Sequence, residues 1–233
     1  MKGILQKRML MVLVLTAAVA LVVTPLASAS GVTCRTGTGC LNGTDSFDWT
    51  KNYGGPFNPI PNHSTATSNG GATATVNFAG GGDGQRRDEG NGWGGNFTPG
   101  DELLWTNSPG QGPLTFNFTN AVSGVGANIQ ADFFGAFTAQ ICDQRGNCFS
   151  ESGNSNPNND GSAIFIGLAN DPGITSVTFS LTSCANDCAD FAINQMDITT
   201  GGGGSVPEPA SLFLLGTGLF GLGGTLRKKL AKR

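Results

Sequence analysis

The acidic residues are the first candidates for chemistry in this chain, and their spacing argues against catalysis. The two densest pairs are Asp88-Glu89 and Asp101-Glu102. Glycoside hydrolysis needs two carboxylates that flank one bond, about 5–9 Å apart. Neighbouring residues of a strand point to opposite faces, so a catalytic pair would have to combine acids from separate segments. The sequence singles out no such pair, and we predict that the protein is not an enzyme.

Nucleophilic catalysis and phosphate binding are disfavoured on similar grounds. His63 is the single histidine, it lies in a Pro- and Asn-rich segment, and no nucleophile motif accompanies it. Triad chemistry needs such a base beside an activated nucleophile. The Gly-rich residues 80–84 lack the Lys-Ser/Thr pair and the helix of a phosphate-binding loop. They predict a flexible connection instead.

Calcium is the one cofactor for which the sequence offers candidate ligands. Asn156, Asn158 and Asp160 place oxygen-bearing side chains two residues apart before Gly161, as at the start of a calcium loop. The segment departs from the EF-hand pattern because Asn holds the first position and Gly167 stands where the bidentate Glu would fall. A solvated loop without a metal is the alternative, and no other cofactor is expected.

Carbohydrate binding is the leading molecular hypothesis. Sugar rings stack on exposed aromatic faces while nearby amides and acids bond the hydroxyls. Four aromatic residues in polar, Gly-rich surroundings are the candidates, namely Trp49, Tyr53, Trp93 and Trp105. Three polar residues lie near them in sequence, namely Asn91, Asn96 and Asp101. The alternative is that these rings close the ends of a hydrophobic core.

The N-terminus has the composition of a secretory signal. Lys2, Lys7 and Arg8 precede an apolar run over residues 9–23, which Pro25 interrupts. Small residues then form an Ala27-Ser28-Ala29 cleavage site. We predict a signal peptide over residues 1–29, export through the Sec machinery, and cleavage between Ala29 and Ser30. An N-terminal membrane helix is the alternative, which the proline and the small residues weaken.

The C-terminus combines a hinge, an apolar run and a basic cluster. The triplet Pro207, Glu208 and Pro209 precedes an apolar run over residues 210–226, and five basic residues follow it, namely Arg227, Lys228, Lys229, Lys232 and Arg233. Prolines lack the N–H for a helix interior, so a helix begins after them. Its length is at the short end of what spans a membrane, and the basic cluster should stay cytoplasmic.

This tail resembles the PEP-CTERM sorting signal of bacterial surface and exopolysaccharide-associated proteins. The resemblance covers roughly an eighth of the chain and rests on residues 206–211 (VPEPAS), the Gly-interrupted apolar helix and the closing Arg-Lys-Lys cluster. It implies that exosortase, a membrane protease-transpeptidase, cuts at Pro207, Glu208 and Pro209, which are then a processing site. An uncleaved single-span anchor is the alternative.

The cysteines agree with export. All six follow the predicted signal peptide and fall into three close pairs, namely Cys34 with Cys40, Cys142 with Cys148, and Cys184 with Cys188. An even number of cysteines in an exported chain indicates disulfides, and short spacing favours these three. Zinc is disfavoured because the spacings differ from those of zinc ribbons.

Charge separates the central segment from both ends. Residues 30–200 hold fifteen of the 16 acidic residues but five of the 13 basic residues, so their net charge is close to −10. Nucleic-acid binding needs a basic face, and we expect no nucleic-acid partner. Such a charge suits a solvated extracellular surface.

The central segment predicts an all-β fold. Short alternating runs recur between Gly, Asn, Asp and Pro clusters, and the clearest cover residues 72–79, 114–118, 122–131, 135–142, 162–169 and 174–181. A final strand should contain Phe191, Ile193 and Met196, with a bulge near Gln195 where the alternation slips. Residues 143–147 predict a hairpin loop that Cys142 and Cys148 clamp. Residues 30–68 are poorly patterned.

These features predict one jelly-roll-like β-sandwich over residues 30–200, a Gly-rich linker over 201–205 and the sorting signal over 206–233. The order of the middle segment is also similar to ectodomains common in PEP-CTERM proteins. We expect an inner-membrane intermediate that ends at the cell surface or in the biofilm matrix, with a structural, adhesive or carbohydrate-binding role toward exopolysaccharide. A secreted polysaccharide-active enzyme and an uncleaved tail-anchored surface protein are the alternatives.

Overall fold

A computed structural model describes residues 30–34, 41–169 and 173–200. These residues form strands and one short helix, α1, over Trp49–Tyr53. The first eight strands are β1 Ser30–Cys34, β2 Asp45–Phe47, β3 Pro59–Ile60, β4 Ser64–Thr67, β5 Thr73–Phe78, β6 Gly84–Glu89, β7 Gly92–Trp93 and β8 Glu102–Trp105. The remaining strands are β9 Leu114–Val122, β10 Gly124–Ala131, β11 Gly135–Asp143, β12 Cys148–Ser155, β13 Ile164–Ala169, β14 Ile174–Ser183, β15 Phe191–Ile193 and β16 Met196–Thr199.

The strands form two sheets. The larger follows the order β1-β13-β10-β15-β8-β6-β3, with β7 on β6. Strand β16 also pairs with β10, beside β15, and β2 pairs with the other edge of β16. The smaller follows the order β12-β11-β14-β9-β5-β4. The two sheets enclose one hydrophobic core, which confirms the predicted all-β fold.

The smaller sheet follows the alternation of its sequence. In β5, Ala74, Val76 and Phe78 are buried while the residues between them are partly exposed. The same period of two recurs in β9, β11 and β14. One face therefore packs on the core and the other faces solvent, as is usual for antiparallel sheets.

The larger sheet is covered on both faces at its centre. All eight residues of β10 are buried, so this strand cannot have a solvated side. Its outer face lies beneath two segments, residues 94–101 and 156–163, which we call the cover loops. A second apolar cluster lies there, formed by Trp93, Phe97, Leu103, Ala163 and Ala192. The centre of this sheet is thus buried between the main core and this smaller outer one.

Hydrogen bonds join the two cover loops. Asn159 N donates to Gly95 O over 2.8 Å and Ala163 N donates to Asn96 O over 2.8 Å. The side chain of Asn96 adds a bond from Nδ2 to the Ser162 hydroxyl oxygen over 3.0 Å. The loops therefore form a continuous layer, although about 60 residues separate them in the chain.

The chain near Gln195 departs from regular pairing, as the slipped alternation predicted. The predicted final strand is divided into β15 and β16, which pair with different parts of β10. Asn194 N donates to Asn128 O over 3.1 Å, and the side-chain Asn194 Oδ1 accepts from Asn128 N over 2.9 Å. The side chain thus replaces a main-chain acceptor, since the Asn194 carbonyl turns toward α1.

Two of the predicted disulfides are present. Cys142–Cys148 clamps the β11–β12 hairpin at its loop, and Cys184–Cys188 closes the segment after β14. Within the hairpin loop, the Asp143 carboxylate accepts bonds from the main-chain N–H groups of Arg145 and Asn147, both over 2.9 Å. The predicted Cys34–Cys40 pair lies outside the residues whose side chains are described.

The predicted terminal signals also lie outside the described residues. These comprise the signal peptide over residues 1–29 with Ala29, the linker over 201–205, and the tail over 206–233 with its helix at 210–226. Ser30, the predicted first residue of the mature chain, begins β1. Within the described part of the chain, no helix has the length and apolar character needed to cross a membrane.

Candidate functional site

A cavity opens where the cover loops meet the outer face of the larger sheet. Its volume is about 200 Å³, and we call it the outer cavity. Its lining residues are Phe97, Thr98, Asp101, Asn128, Gly161, Ala163 and Asn194. Polar side chains therefore converge on a concave surface, which is smaller and more polar than the usual site for a drug-sized ligand.

Two asparagines form the floor of the outer cavity, and both are held in place. Asn128 and Asn194 are 6% and 3% exposed. Asn128 Nδ2 donates to Ala163 O over 2.7 Å. Asn194 accepts from Asn128 N and donates through Nδ2 to Asp101 Oδ2 over 3.2 Å. The break between β15 and β16 is what directs the Asn194 side chain to this face.

Asp101 is the ionisable residue of the cavity wall. Its Oδ2 accepts from Asn194 Nδ2 and from Thr98 N, both over 3.2 Å. Burial raises the pKa of Asp101, although these two hydrogen bonds act in the opposite direction. Both bonds end on Oδ2, and the second oxygen, Oδ1, accepts no hydrogen bond from the described residues.

Glu89 fixes the first cover loop from below. This carboxylate is 3% exposed, and it accepts from Gly95 N over 2.8 Å and from Phe97 N over 3.2 Å. Burial raises the pKa of Glu89, against the lowering effect of these bonds. A Cβ atom at Gly95 would lie 2.3 Å from Gln130 Oε1, so only glycine allows this close approach to the sheet.

Arg87, Trp105 and Asp190 form a second cluster on the outer face of the larger sheet. The Arg87 guanidinium lies between two rings, 4.5 Å from the centre of Phe57 and 4.8 Å from that of Trp105. Trp105 Nε1 donates to Asp190 Oδ1 over 2.6 Å. The pKa of Asp190 is raised to about 6, because the effect of burial exceeds the opposing effect of this hydrogen bond. Burial lowers the pKa of Arg87, while the Asp132 charge opposes that change.

The structure corrects part of the aromatic prediction. Trp49 is fully buried, with its ring stacked on Phe116 at 5.8 Å, so it cannot present a face to a sugar. Trp93 is 7% exposed and packs against Phe97 and Trp105. In both cases the indole serves a hydrophobic cluster, which is the alternative noted for these rings.

The two other predicted rings keep some exposure without forming an open platform. Tyr53 stacks on Trp49, and its hydroxyl lies 3.0 Å from that of Ser64. Trp105 is partly exposed, but Arg87 lies over its ring. The most exposed large apolar side chains of the described residues are Phe57, Phe133 and Phe134. The sequence offered no pattern to single these three out.

The predicted calcium ligands lie in the second cover loop, where two of their side-chain oxygens accept hydrogen bonds from neighbouring residues. Asn156 Oδ1 accepts from Asn158 N over 3.0 Å, and Asp160 Oδ1 accepts from Ser162 N over 3.0 Å. The hydrogen bond from the Ser162 hydroxyl lowers the pKa of Asp160. The described residues contain no group of three or more His, Cys, Asp or Glu side chains suited to a metal. Calcium at this loop stays a prediction.

The comparison with known families concerns the tail. Residues 205–228 match the family model of the PEP-CTERM protein-sorting motif. The chain carries a PEP-CTERM sorting signal. The match contains Pro207, Glu208 and Pro209, the apolar run and the first two basic residues, while Lys229, Lys232 and Arg233 follow it. No curated protein and no solved structure matches the chain.

A PEP-CTERM signal implies an exported protein that exosortase processes at the membrane. The last described strand, β16, ends at Thr199, and the match begins at Ser205. The PEP-CTERM signal therefore follows the β-domain after a few residues. All seven described residues that line the outer cavity lie in the β-domain.

Proposed function

We propose that this chain is an exported surface or matrix protein whose β-domain binds carbohydrate. The PEP-CTERM match at residues 205–228 carries the sorting half of the proposal. Exosortase would cut at Pro207, Glu208 and Pro209, after export by the Sec machinery and removal of residues 1–29. The product would then reach the cell surface or an exopolysaccharide matrix. We also propose that the strands of the β-domain are connected as in a jelly roll.

The outer cavity supports carbohydrate binding. The side chains that line it include a carboxylate, two amides and a hydroxyl, and these are groups that can hydrogen-bond to sugar hydroxyls. The amides of Asn128 and Asn194 are already positioned by their own hydrogen bonds. Little ordering entropy would therefore be lost on binding.

Binding accounts for the cavity better than hydrolysis does. Glycoside hydrolysis uses two carboxylates about 5–9 Å apart, whereas Asp101 is the one acid among the seven lining residues. Asp132 and Asp190 lie in another part of the same face, and Asp190 is 1% exposed and bonded to Trp105. Their positions fit a role in structure, so we retain a non-enzymatic function.

Mass spectrometry of the mature C-terminus tests the sorting half. We expect protein from the cell surface to end within the Pro-Glu-Pro segment and to lack Arg233. Replacement of Pro207, Glu208 and Pro209 by alanine should block this cut, whereas Gly202→Ala in the linker should leave it unchanged. An intact Arg233 on wild-type surface protein would establish the uncleaved anchor instead.

A glycan array with mature protein released from cells tests the binding half. We expect retention on at least one polysaccharide or oligosaccharide family. Absence of binding to every glycan, by protein whose thermal unfolding is cooperative, would contradict a carbohydrate-binding role and favour a purely structural one. Release of reducing ends from a bound glycan would instead establish the polysaccharide-active enzyme.

A further inference from the structure

We propose that the outer cavity binds one neutral sugar residue, with Asp101 Oδ1 as the principal acceptor for its hydroxyl groups. The proposal rests on the carbohydrate-binding function above and specifies its site and ligand class. Nothing in the sequence pattern joins these lining residues, because they come from both cover loops, from β10 and from the break between β15 and β16.

The size of the cavity limits the ligand to a single ring. A volume of about 200 Å³ is below the roughly 300–1,000 Å³ of sites that enclose drug-sized ligands. A continuous oligosaccharide groove would be longer and would extend along the sheet. The cavity is therefore suited to a chain end or a branch residue, which enters it while the rest of the polymer stays outside.

The polar groups match the edge of a sugar. Asp101 Oδ2 is occupied by Asn194 Nδ2 and Thr98 N, which fixes the orientation of the carboxylate and leaves Oδ1 for the ligand. Hydrogen bonds to an ionised acceptor are about twice as strong as neutral ones. The Thr98 hydroxyl and the Asn128 amide supply further donors and acceptors around the same space.

The buried floor presents a fixed polar surface to the cavity. Asn128 and Asn194 are each more than nine-tenths buried and yet line a cavity. Their amides already bond to Ala163 O, to Asn128 N and to Asp101 Oδ2, so the polar surface is fixed before any ligand binds. Phe97 also lines the cavity, but it is 1% exposed and its ring packs against Trp93, so the cavity offers polar contacts and no aromatic stacking face.

Charge selects among sugars. The cavity wall carries a carboxylate, and residues 30–200 have a net charge close to −10. A uronic acid or a sulfated sugar would meet repulsion from Asp101 and from the domain as a whole. A neutral hexose or pentose avoids this cost and still uses the carboxylate as an acceptor.

Gly161 determines the width of the entrance. Its φ is +73°, and a Cβ atom at this position would lie 3.1 Å from Thr98 Oγ1. A side chain there would narrow the space between the two cover loops and strain the backbone. Gly161→Ala is therefore a steric probe that removes no polar group from the cavity, although the Thr98 hydroxyl must shift by a few tenths of an ångström.

Competition binding with the processed full-length protein tests the proposal. Neutral monosaccharides and glucuronate are titrated against a glycan that the array identifies, with saturation-transfer NMR as the direct readout. We expect at least one neutral monosaccharide to compete and glucuronate not to compete. Asp101→Asn should weaken binding about tenfold or more, while the matched charge control Glu151→Gln on β12 should stay within about twofold.

Two further variants test the proposal if Asp101→Asn does not fold. Thr98→Val removes an exposed hydroxyl and Gly161→Ala narrows the entrance, and both should weaken binding by at least about threefold. If glycan binding persists in all three variants and no monosaccharide competes, the outer cavity is not the binding site. The proposed carbohydrate-binding function would remain intact. Absence of any glycan binding by the wild type would overturn both.

Discussion

The indole Nε1 of Trp49 donates a 2.8 Å hydrogen bond to the main-chain carbonyl oxygen of Asn194. This bond connects α1 to the break between β15 and β16, 145 residues later in the chain. It supplies a donor to the Asn194 carbonyl oxygen, which points away from β10. Trp49 is therefore a structural residue that supports the floor of the outer cavity from the core side.

Trp49→Phe should destabilise the domain. The substitution keeps most of the ring but leaves the Asn194 carbonyl without its buried donor, at a cost of about 1–3 kcal/mol. Urea unfolding measures the change. Phe134→Leu, at a side chain that is 51% exposed, is the control and should change the free energy of unfolding by less than about 0.5 kcal/mol. Equal stability of the two variants would show that the bond contributes little.

Asp197 should make the domain less stable as the pH rises. It lies on β16, is 8% exposed, and burial raises its pKa from 3.8 to about 6. The folded state therefore holds this proton more tightly than the unfolded state does. The contribution of Asp197 is most favourable below about pH 4 and declines between about pH 4 and pH 6. Asp190 acts in the same direction.

Asp197→Asn tests that sign. At pH 7.5 it should raise the free energy of unfolding by about 1–2 kcal/mol, less than the full shift implies because water reaches part of the carboxyl. At pH 4 the gain should disappear. Denaturant unfolding at both pH values measures it, with Glu151→Gln as the charge control. A loss of stability at pH 7.5 would show that the carboxylate has a stabilising partner.

The residues near Trp49 also show where sequence reasoning reached its limit. Alternation located β5, β11 and β14, and cysteine spacing located the two described disulfides, because both signals are local. Residues 45–60 have no comparable period, since α1 has five residues and β2 and β3 are shorter still. Composition made Trp49 a candidate for the surface, whereas its long-range bond to Asn194 places it in the core.

The outer cavity could not be predicted from the sequence for a related reason. Its cover loops are about 60 residues apart, and the bonds between Gly95 and Asn159 depend on how the whole sheet is ordered. Asp101 is a sequence neighbour of Trp93 and Trp105, but Asn128 and Asn194 are far from it in the chain. The one usable signal was the slipped alternation near Gln195, which marks the position where Asn194 leaves the strand.

The Cys142–Cys148 disulfide should contribute a modest amount of stability. Its loop is short, and closing so short a loop gives about 2 kcal/mol in the chain-entropy model. A Cys142→Ser/Cys148→Ser variant should lose that amount and keep the hairpin, because β11 and β12 pair over eight residues. Unfolding with and without reductant, beside a Cys184→Ser/Cys188→Ser variant, measures it. Loss of cooperative unfolding would show that the hairpin depends on the bridge.

The contacts of Arg87 predict a preference for arginine over lysine. Its planar group lies over the rings of both Phe57 and Trp105, and a lysine ammonium cannot stack in this way. Arg87→Lys should cost about 1 kcal/mol or more and shift the fluorescence of Trp105. The same substitution in a Phe57→Leu background should cost less, because one contact is already lost. Additive effects would mean that the Phe57 contact contributes nothing.

The position of β16 has a mechanical consequence. This strand is the last of the domain, and it is paired on one side with β10 and on the other with β2. Tension along the axis of β16 would therefore load the hydrogen bonds on both of its flanks together, in shear. The last described strand of the domain should therefore resist mechanical unfolding under such a force.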